Sequence, residues 1–307
     1  MSTREHVARY YDRNTSRFIR FGGGEDALAI HRELWGPGVS SAADAKRYVN
    51  RLLGDEIGSS EVETSTVLDL GCGVGGTMFE LAVRFPGARM HGVTISQAQQ
   101  ELAGAWAHRL GVDDRCAFHV GDFHDLRLRV PLGAGSSPGG TAAGPGELND
   151  DTTLRASAVI AVESFAHATD PSAFFRTAAR HLDAGGRLFV VDDFLAIRRA
   201  ELTASDAARV DRFEEGWRLG TLLTADEARE TARAAGLIPT GEVDLTHLIR
   251  LGRPRDHLIS VVAPVLARLG LVSVPFCGNM IGGNALQDGL RRGVLSYRML
   301  TFTLRPA

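Results

Sequence analysis

The residues best suited to chemistry begin with one short run, Asp69-Leu70-Gly71-Cys72-Gly73-Val74-Gly75-Gly76. Glycines at 71, 73 and 75 let a backbone turn sharply out of a strand and approach a ligand closely. The helix expected next presents unpaired N–H groups in its first turn. Dinucleotide enzymes place G-x-G-x-x-G at the same point of a βα unit. Here the spacing is G-x-G-x-G, and an acid, Asp69, lies inside the preceding strand. A carboxylate there repels a pyrophosphate and attracts a cationic amino acid.

Further stretches carry functional groups at strand ends. Gly92-Val93-Thr94-Ile95-Ser96-Gln97-Ala98-Gln99 closes a second strand on hydroxyl and amide side chains, with Ser96 placed to cap the next helix. In Gly121-Asp122-Phe123, after a third strand, Asp122 can accept from an amino group and Phe123 can contact a ring. A fourth strand, Val159 to Val162, runs into Glu163-Ser164-Phe165-Ala166-His167. Ligands bind at such carboxyl ends in open α/β sheets, and Glu163 and His167 share a face if the segment is helical. Asp192 and Asp193 close a fifth strand. One is expected to be structural and the other to line a pocket, and the sequence does not choose between them. Phe18, Phe21, Trp35, Phe213, Trp217, Phe276 and Met280 together make an apolar, aromatic pocket plausible.

The loop with its acid resembles the first motif of the class I S-adenosylmethionine-dependent methyltransferases, and the resemblance extends roughly from Thr66 to Phe194. Many of those enzymes end the second strand on an acid that binds the cofactor ribose; this chain has none there. Thr94-Ile95-Ser96-x-x-Gln99 is instead similar to the branch holding cyclopropane fatty acid synthases, tocopherol and sterol C-methyltransferases and geranyl diphosphate C-methyltransferase. The resemblance implies S-adenosyl-L-methionine as cofactor, held by Asp69, Gly71, Gly73, Gly75, Thr94, Ile95, Gln99, Asp122 and Phe123. It implies that Glu163 stands beside a reacting alkene, with His167 a second catalytic candidate and Tyr11, Phe21, Asp193 and Trp217 around the substrate.

The activity so implied is C-methylation of a prenyl or terpenoid side chain in secondary metabolism. Such a reaction leaves a carbocation that loses a proton or cyclises. It needs a dry cavity, aromatic faces and one carboxylate. N- or O-methylation of a small molecule with Glu163 or His167 as base, C-methylation of a prenyl diphosphate, a binding module without chemistry and a nicotinamide dehydrogenase are the other readings. A diphosphate calls for magnesium or a basic cluster. Arg198-Arg199, Arg291-Arg292 and Arg250, Arg253 and Arg255 are explained equally well by surface solvation, so a neutral substrate and no metal are expected.

Positioning these groups requires an α/β fold, a doubly wound, mostly parallel seven-stranded sheet of the Rossmann-like kind with a helical N-terminal segment and a cap. Residues 1–63 read as a helical segment whose aromatic, glycine-containing start suggests a lid. Residues 64–198 form the cofactor-binding core, and 199–307 hold cap helices and the strands that complete the sheet. Within the core, 133–150 are Gly-, Ser-, Pro- and Thr-rich and read as a flexible surface insertion. Strands are predicted over 67–70, 90–93, 116–120, 158–162, 187–191, 242–245 and 299–304. Helices are predicted over 212–220 and 225–235, and an apolar one over 258–271 reads as buried or interfacial.

Composition bounds the function classes. The 307 residues are 44% hydrophobic and 23% charged, as in soluble globular proteins. A formal charge of -3 gives no footprint for nucleic acid. Cys72, Cys116 and Cys277 are too scattered for a disulfide framework or a zinc site. No signal peptide or stable membrane insertion is expected, so the expected setting is cytoplasmic, the partner a hydrophobic small molecule, and the chain homo-oligomeric.

Overall fold

The structure is a computed structural model that describes residues 31–58, 65–131, 151–220 and 222–306. Tyr11, Phe18, Phe21 and the 133–150 insertion lie outside the described residues, as does the glycine run at 22–24.

Short apolar runs alternate with amphipathic stretches from residue 66 onward, and the elements follow that alternation. Helix α1 (Ala42–Ile57) is opened by a capping box between Ser41 and Asp44. Then come β1 (Thr66–Leu70), α2 (Gly76–Arg84), β2 (Arg89–Thr94), α3 (Gln97–Leu110) and β3 (Cys116–Val120). Ser96 caps α3, its hydroxyl accepting from the Gln99 N–H, as expected from the sequence. A two-stranded ribbon, β4 (Arg129–Pro131) with β5 (Asp151–Thr153), flanks the insertion. Next are β6 (Ala156–Val162), α4 (Pro171–His181) and β7 (Leu182–Leu195). The last third holds α5 (Ala204–Trp217), α6 (Ala225–Ala234), β8 (Leu237–Asp244), α7 (Pro254–Arg268), α8 (Pro275–Arg291) and β9 (Leu295–Leu304).

The main sheet has seven strands in the order β3-β2-β1-β6-β7-β9-β8, and only β9 runs against its neighbours. Strand order reverses between β1 and β6, which makes their carboxyl ends the expected ligand crevice. Alternate residues feed two cores. Val67, Ile160, Phe189, Tyr297 and Met299 pack with α1, α2 and α3. Leu68, Val159, Leu188, Leu300 and Phe302 pack with α4 and α6 around Phe165, Phe174 and Phe175. A third cluster, including Leu195, Val210, Phe213, Leu286 and Leu295, roofs the far end of β7 with α5 and α8.

Several boundaries differ from expectation. Helix α5 begins eight residues before 212, because Thr203 caps it with its hydroxyl accepting from Asp206 N–H. Strand β9 starts at Leu295, held along its length by antiparallel pairing with β7. Glu163 and His167 do not share a helix. Only Phe165–His167 form a single 3-10 turn, and Glu163 precedes it with φ 51. The apolar 258–271 stretch breaks at Gly270 and is not buried: Leu258, Val261, Val265 and Leu269 face outward. Phe276 is likewise exposed, so it is no pocket wall, and Phe213 is ordinary core.

Candidate active site

The loop after β1 is tied down through its backbone. The N–H groups of Gly71 and Cys72 both donate to the Val93 carbonyl at 2.9 Å. Gly71 has φ 102, and a Cβ there would stand 2.4 Å from the Cβ of Ser164. Ser164 in turn donates its hydroxyl to the Leu70 carbonyl at 2.6 Å. Gly73 has φ 54, and among the described residues a Cβ on it would meet nothing within 4 Å, so on that side the turn is open. Gly75, φ 89, immediately precedes α2.

Asp69 sits beneath this turn, buried and without an ion pair among the described residues. Burial pushes its carboxyl up to about 7. A buried acid lacking a counter-cation, under an open backbone turn, suits a ligand carrying its own positive charge.

On the next strand end, Thr94 donates its hydroxyl to Gln99 Oε1 at 2.7 Å, and the Ser96 N–H donates to Thr94 Oγ1 at 3.2 Å. Ile95 is half-buried beside them. Asp122 Oδ1 accepts from the His124 N–H at 2.9 Å and pairs with His124 Nδ1 at 2.6 Å. His124 Nε2 accepts from the Thr169 N–H at 3.1 Å, which joins this strand end to the loop before α4. Phe123 packs edge-on against Phe174.

The other half of the crevice is built around Glu163. Its backbone N–H donates to the Val191 carbonyl, and its Oε1 accepts from Tyr297 Oη at 2.9 Å and from the Arg32 N–H at 2.9 Å. The Arg32 guanidinium forms a two-pronged pair with Asp193, with Nη1 to Oδ1 at 2.6 Å. It also lies over the rings of Tyr297 and Trp217, 4.7 and 5.8 Å from their centroids.

The two neighbouring acids thus divide their roles. Asp192 accepts from the Ala166 and Asp193 N–H groups and holds the 3-10 turn, while Asp193 faces Arg32. Burial, reinforced by Asp193, pushes Asp192 up to about 7. His167 Nδ1 lies 3.3 Å from the Arg218 carbonyl, and burial lowers its pKa. His31 Nε2 is 2.6 Å from Thr77 Oγ1, which donates to Asn50 Oδ1, and burial lowers the His31 pKa too.

The structure therefore brings Asp69, Gly71, Gly73 and Gly75 together at one strand end, and Glu163, Asp193 and Trp217 at another. Sequence reasoning missed Arg32 and Tyr297. Tyr297 falls two residues before the predicted start of the last strand. Extending the strand's alternation back from Met299 would have placed it on the same face. Arg199 is taken up by Asp211 and Glu214, and Arg253 by Glu33. Among the described residues no group of three His, Cys, Asp or Glu side chains is placed to hold a metal.

The chain belongs to the methyltransferase-domain family, whose model matches residues 61–215. It is an S-adenosylmethionine-dependent methyltransferase. Among curated relatives, it is 29% identical over 240 residues to a 27-O-demethylrifamycin SV methyltransferase of Amycolatopsis mediterranei, covering 75% of this chain and 77% of the relative. It is 28% identical over 243 residues to the cycloartenol-C-24-methyltransferase 1 of rice, Oryza sativa subsp. japonica, covering 78% of this chain and 60% of that protein. Its fold matches geranyl diphosphate C-methyltransferase from Streptomyces coelicolor with a TM-score of 0.68 and 19% identity, over 99% of this chain and 98% of the other. No helix of the described residues is long and apolar enough to cross a membrane.

Proposed function

We propose that the protein methylates carbon, at an alkene of a prenyl or terpenoid side chain carried by a hydrophobic, uncharged small molecule. The observation that carries this reading is the carboxylate of Glu163, fixed at the end of β6 by the Tyr297 hydroxyl and the Arg32 N–H. S-adenosylmethionine supplies an electrophilic methyl group when bound. In this reading Asp69 takes its cationic amino-acid end, the turn at Gly71, Gly73 and Gly75 lets it approach the backbone, and Thr94, Ile95, Gln99, Asp122 and Phe123 surround the nucleoside.

The remaining work falls to the substrate end. The alkene's π electrons would form the new carbon–carbon bond as the methyl group's bond to the sulfonium sulfur breaks, with S-adenosylhomocysteine the leaving group and a tertiary carbocation left on the chain. Glu163 stabilises that charge electrostatically and is placed to take the proton whose loss restores an alkene. The half-buried Trp217 walls the crevice and helps exclude water, whereas the ring of the buried Tyr297 is taken up by the Arg32 guanidinium. Among the described residues Asp193 is paired with Arg32 while Glu163 makes no ion pair, an arrangement that disfavours an anionic substrate. The finer version of this proposal is a prenylated indole alkaloid of the teleocidin type, in secondary metabolism, where the cation cyclises before it loses a proton.

O- or N-methylation is the second reading, favoured by the neutral state that burial imposes on His167, which could then act as base. The rifamycin-related relative carries an O-methyltransferase's name. Incubation with methyl-labelled cofactor and a prenylated indole, a prenyl diphosphate or a phenol, followed by location of the label, separates the readings. Label on carbon of the prenyl chain supports the first, and label on oxygen or nitrogen overturns it.

A further inference from the structure

Helix α7 turns one side to α8 and leaves the other uncovered among the described residues. Ala263 on the inner side is 2% exposed, whereas Leu258, Val261, Val265, Leu269 and the neighbouring Phe276 are 52–71% exposed. Taking roughly 150–200 Å² for a large side chain, this is on the order of 600 Å² of apolar surface. That is the upper end of what a monomer ordinarily shows to water, about 300–600 Å². It is also most of the ~800 Å² that one partner contributes to a standard interface.

The stripe is nearly palindromic. Its spacings are three, four and four residues, and it reads Leu, Val, Val, Leu in either direction. In an antiparallel pairing centred on Ala263, Val261 meets the partner's Val265 while Leu258 falls within one residue of the partner's Leu269. Such a contact is isologous, each residue finding its counterpart twice. Antiparallel helices also align their dipoles favourably.

The charge pattern sets how such a pairing responds to salt. From Pro254 to Gln287 the one acid is Asp256, and it is buried. The rim of the stripe carries Arg255, His257 and Arg268. Two copies therefore meet through an apolar seam with mildly repulsive edges, which salt screens.

We propose that this face of α7 is a homotypic interface, pairing antiparallel with the same helix of a second copy. Analytical ultracentrifugation of the full chain tests it. Wild type associates in the micromolar range, and more tightly when sodium chloride is raised from about 0.05 to about 1 M. V261E and V265K each weaken association roughly 30-fold or more. Each leaves the circular dichroism spectrum and the affinity for S-adenosylmethionine unchanged. The double variant V261E/V265K recovers association to within about fivefold, because each new acid then faces a new base across the seam.

A wild type that stays monomeric at about 100 µM overturns the proposal. So does association that V261E leaves intact, as it would if residues 1–30 cover the stripe. Loss in both single variants without recovery in the double overturns the antiparallel register. Salt-sensitive co-sedimentation of a monomer with phosphatidylglycerol vesicles would assign the face to an anionic lipid surface and overturn it as well.

Discussion

The Tyr297 hydroxyl donates to Glu163 Oε1 at 2.9 Å, and Tyr297 itself is wholly buried. Tyr297 lies in β9 and Glu163 directly follows β6, strands that are not neighbours in the sheet; β7 lies between them. Glu163 reaches across because its left-handed backbone conformation turns it out of the strand line. A second donor, the Arg32 N–H, meets the same oxygen at 2.9 Å, so the carboxylate is held in one orientation.

This arrangement predicts different kinetics for the two members. Glu163→Gln keeps the shape but removes the charge, and should lower kcat about 10²–10³-fold with the cofactor's Kd nearly unchanged. Tyr297→Phe removes only the positioning hydroxyl, and should lower kcat about tenfold while costing about 1 kcal/mol of stability. Single-turnover rates and cofactor titrations measure both. Normal turnover by Glu163→Gln would remove Glu163 from the mechanism.

Arg32 and Asp193 form a pair in which both side chains are largely buried, at 13% and 3% exposure. Removing one member strands the other's charge in a poorly solvated place. Arg32→Met should therefore destabilise the protein by about 3 kcal/mol or more in chemical denaturation. The double variant Arg32→Met/Asp193→Leu should regain much of that loss, since both charges are then gone. Equal instability in the single and double variants would show that shape, not charge, dominates there.

Much of the fold could be read from the chain because its cues are local. The run Val67 to Leu70 ending at a glycine turn, the cap at Ser96 and the apolar runs of β6 and β7 each lie within about ten residues. The glycine turn from Gly71 to Gly75, where the cofactor is proposed to sit, was legible for the same reason. The substrate end was less so. Glu163 stood out by its place after a strand, but its partner Tyr297 is 134 residues away and Arg32 lies 131 residues before it. Neither has a sequence spacing that betrays the contact. The division of labour between Asp192 and Asp193 was invisible because it depends on which N–H groups fold over them. The exposure of α7 escaped notice because apolar content says that a face is to be covered, not what covers it.

If Asp69 faces the cofactor's cationic end, as proposed, it should set the pH dependence of cofactor binding. With no cation beside it among the described residues, burial pushes its carboxyl up to about 7, from an ordinary value near 3.9. A cationic ligand prefers the ionised form. Affinity should therefore fall as pH drops below 7, by up to about tenfold per unit, and binding should release a proton in that range. The sign for stability is opposite to that of an ordinary paired acid. Between about 4 and 7 the folded state holds more protons than the unfolded one, so the cofactor-free protein loses stability as pH rises through that window. Asp69→Asn should flatten Asp69's share of this slope, leaving that of Asp192, which has the same direction. Calorimetry in buffers of different ionisation enthalpy, at about pH 5.5 and 7.5, measures the proton release. Binding that takes up protons would show that Asp69 does not face the cofactor's charge.

Gly71 offers a test of the turn itself. Its φ of 102 is a conformation that side chains with a Cβ rarely adopt, and the added carbon of Gly71→Ala would meet Ser164 Cβ at 2.4 Å. Two strains add there, one in the backbone and one between side chains. Gly71→Ala should cost about 2–4 kcal/mol of stability and weaken cofactor binding at least tenfold. Ser164→Ala keeps the packing and loses only the hydroxyl's bond to the Leu70 carbonyl, so it should cost about 1 kcal/mol. Adding Ser164→Gly to Gly71→Ala relieves the collision but not the backbone strain. Stability should then recover partly, and cofactor affinity should recover less, because the displaced turn still carries a methyl group where the ligand comes closest. Thermal denaturation with and without S-adenosylmethionine gives both quantities. Full affinity in Gly71→Ala would move the cofactor's seat away from this turn.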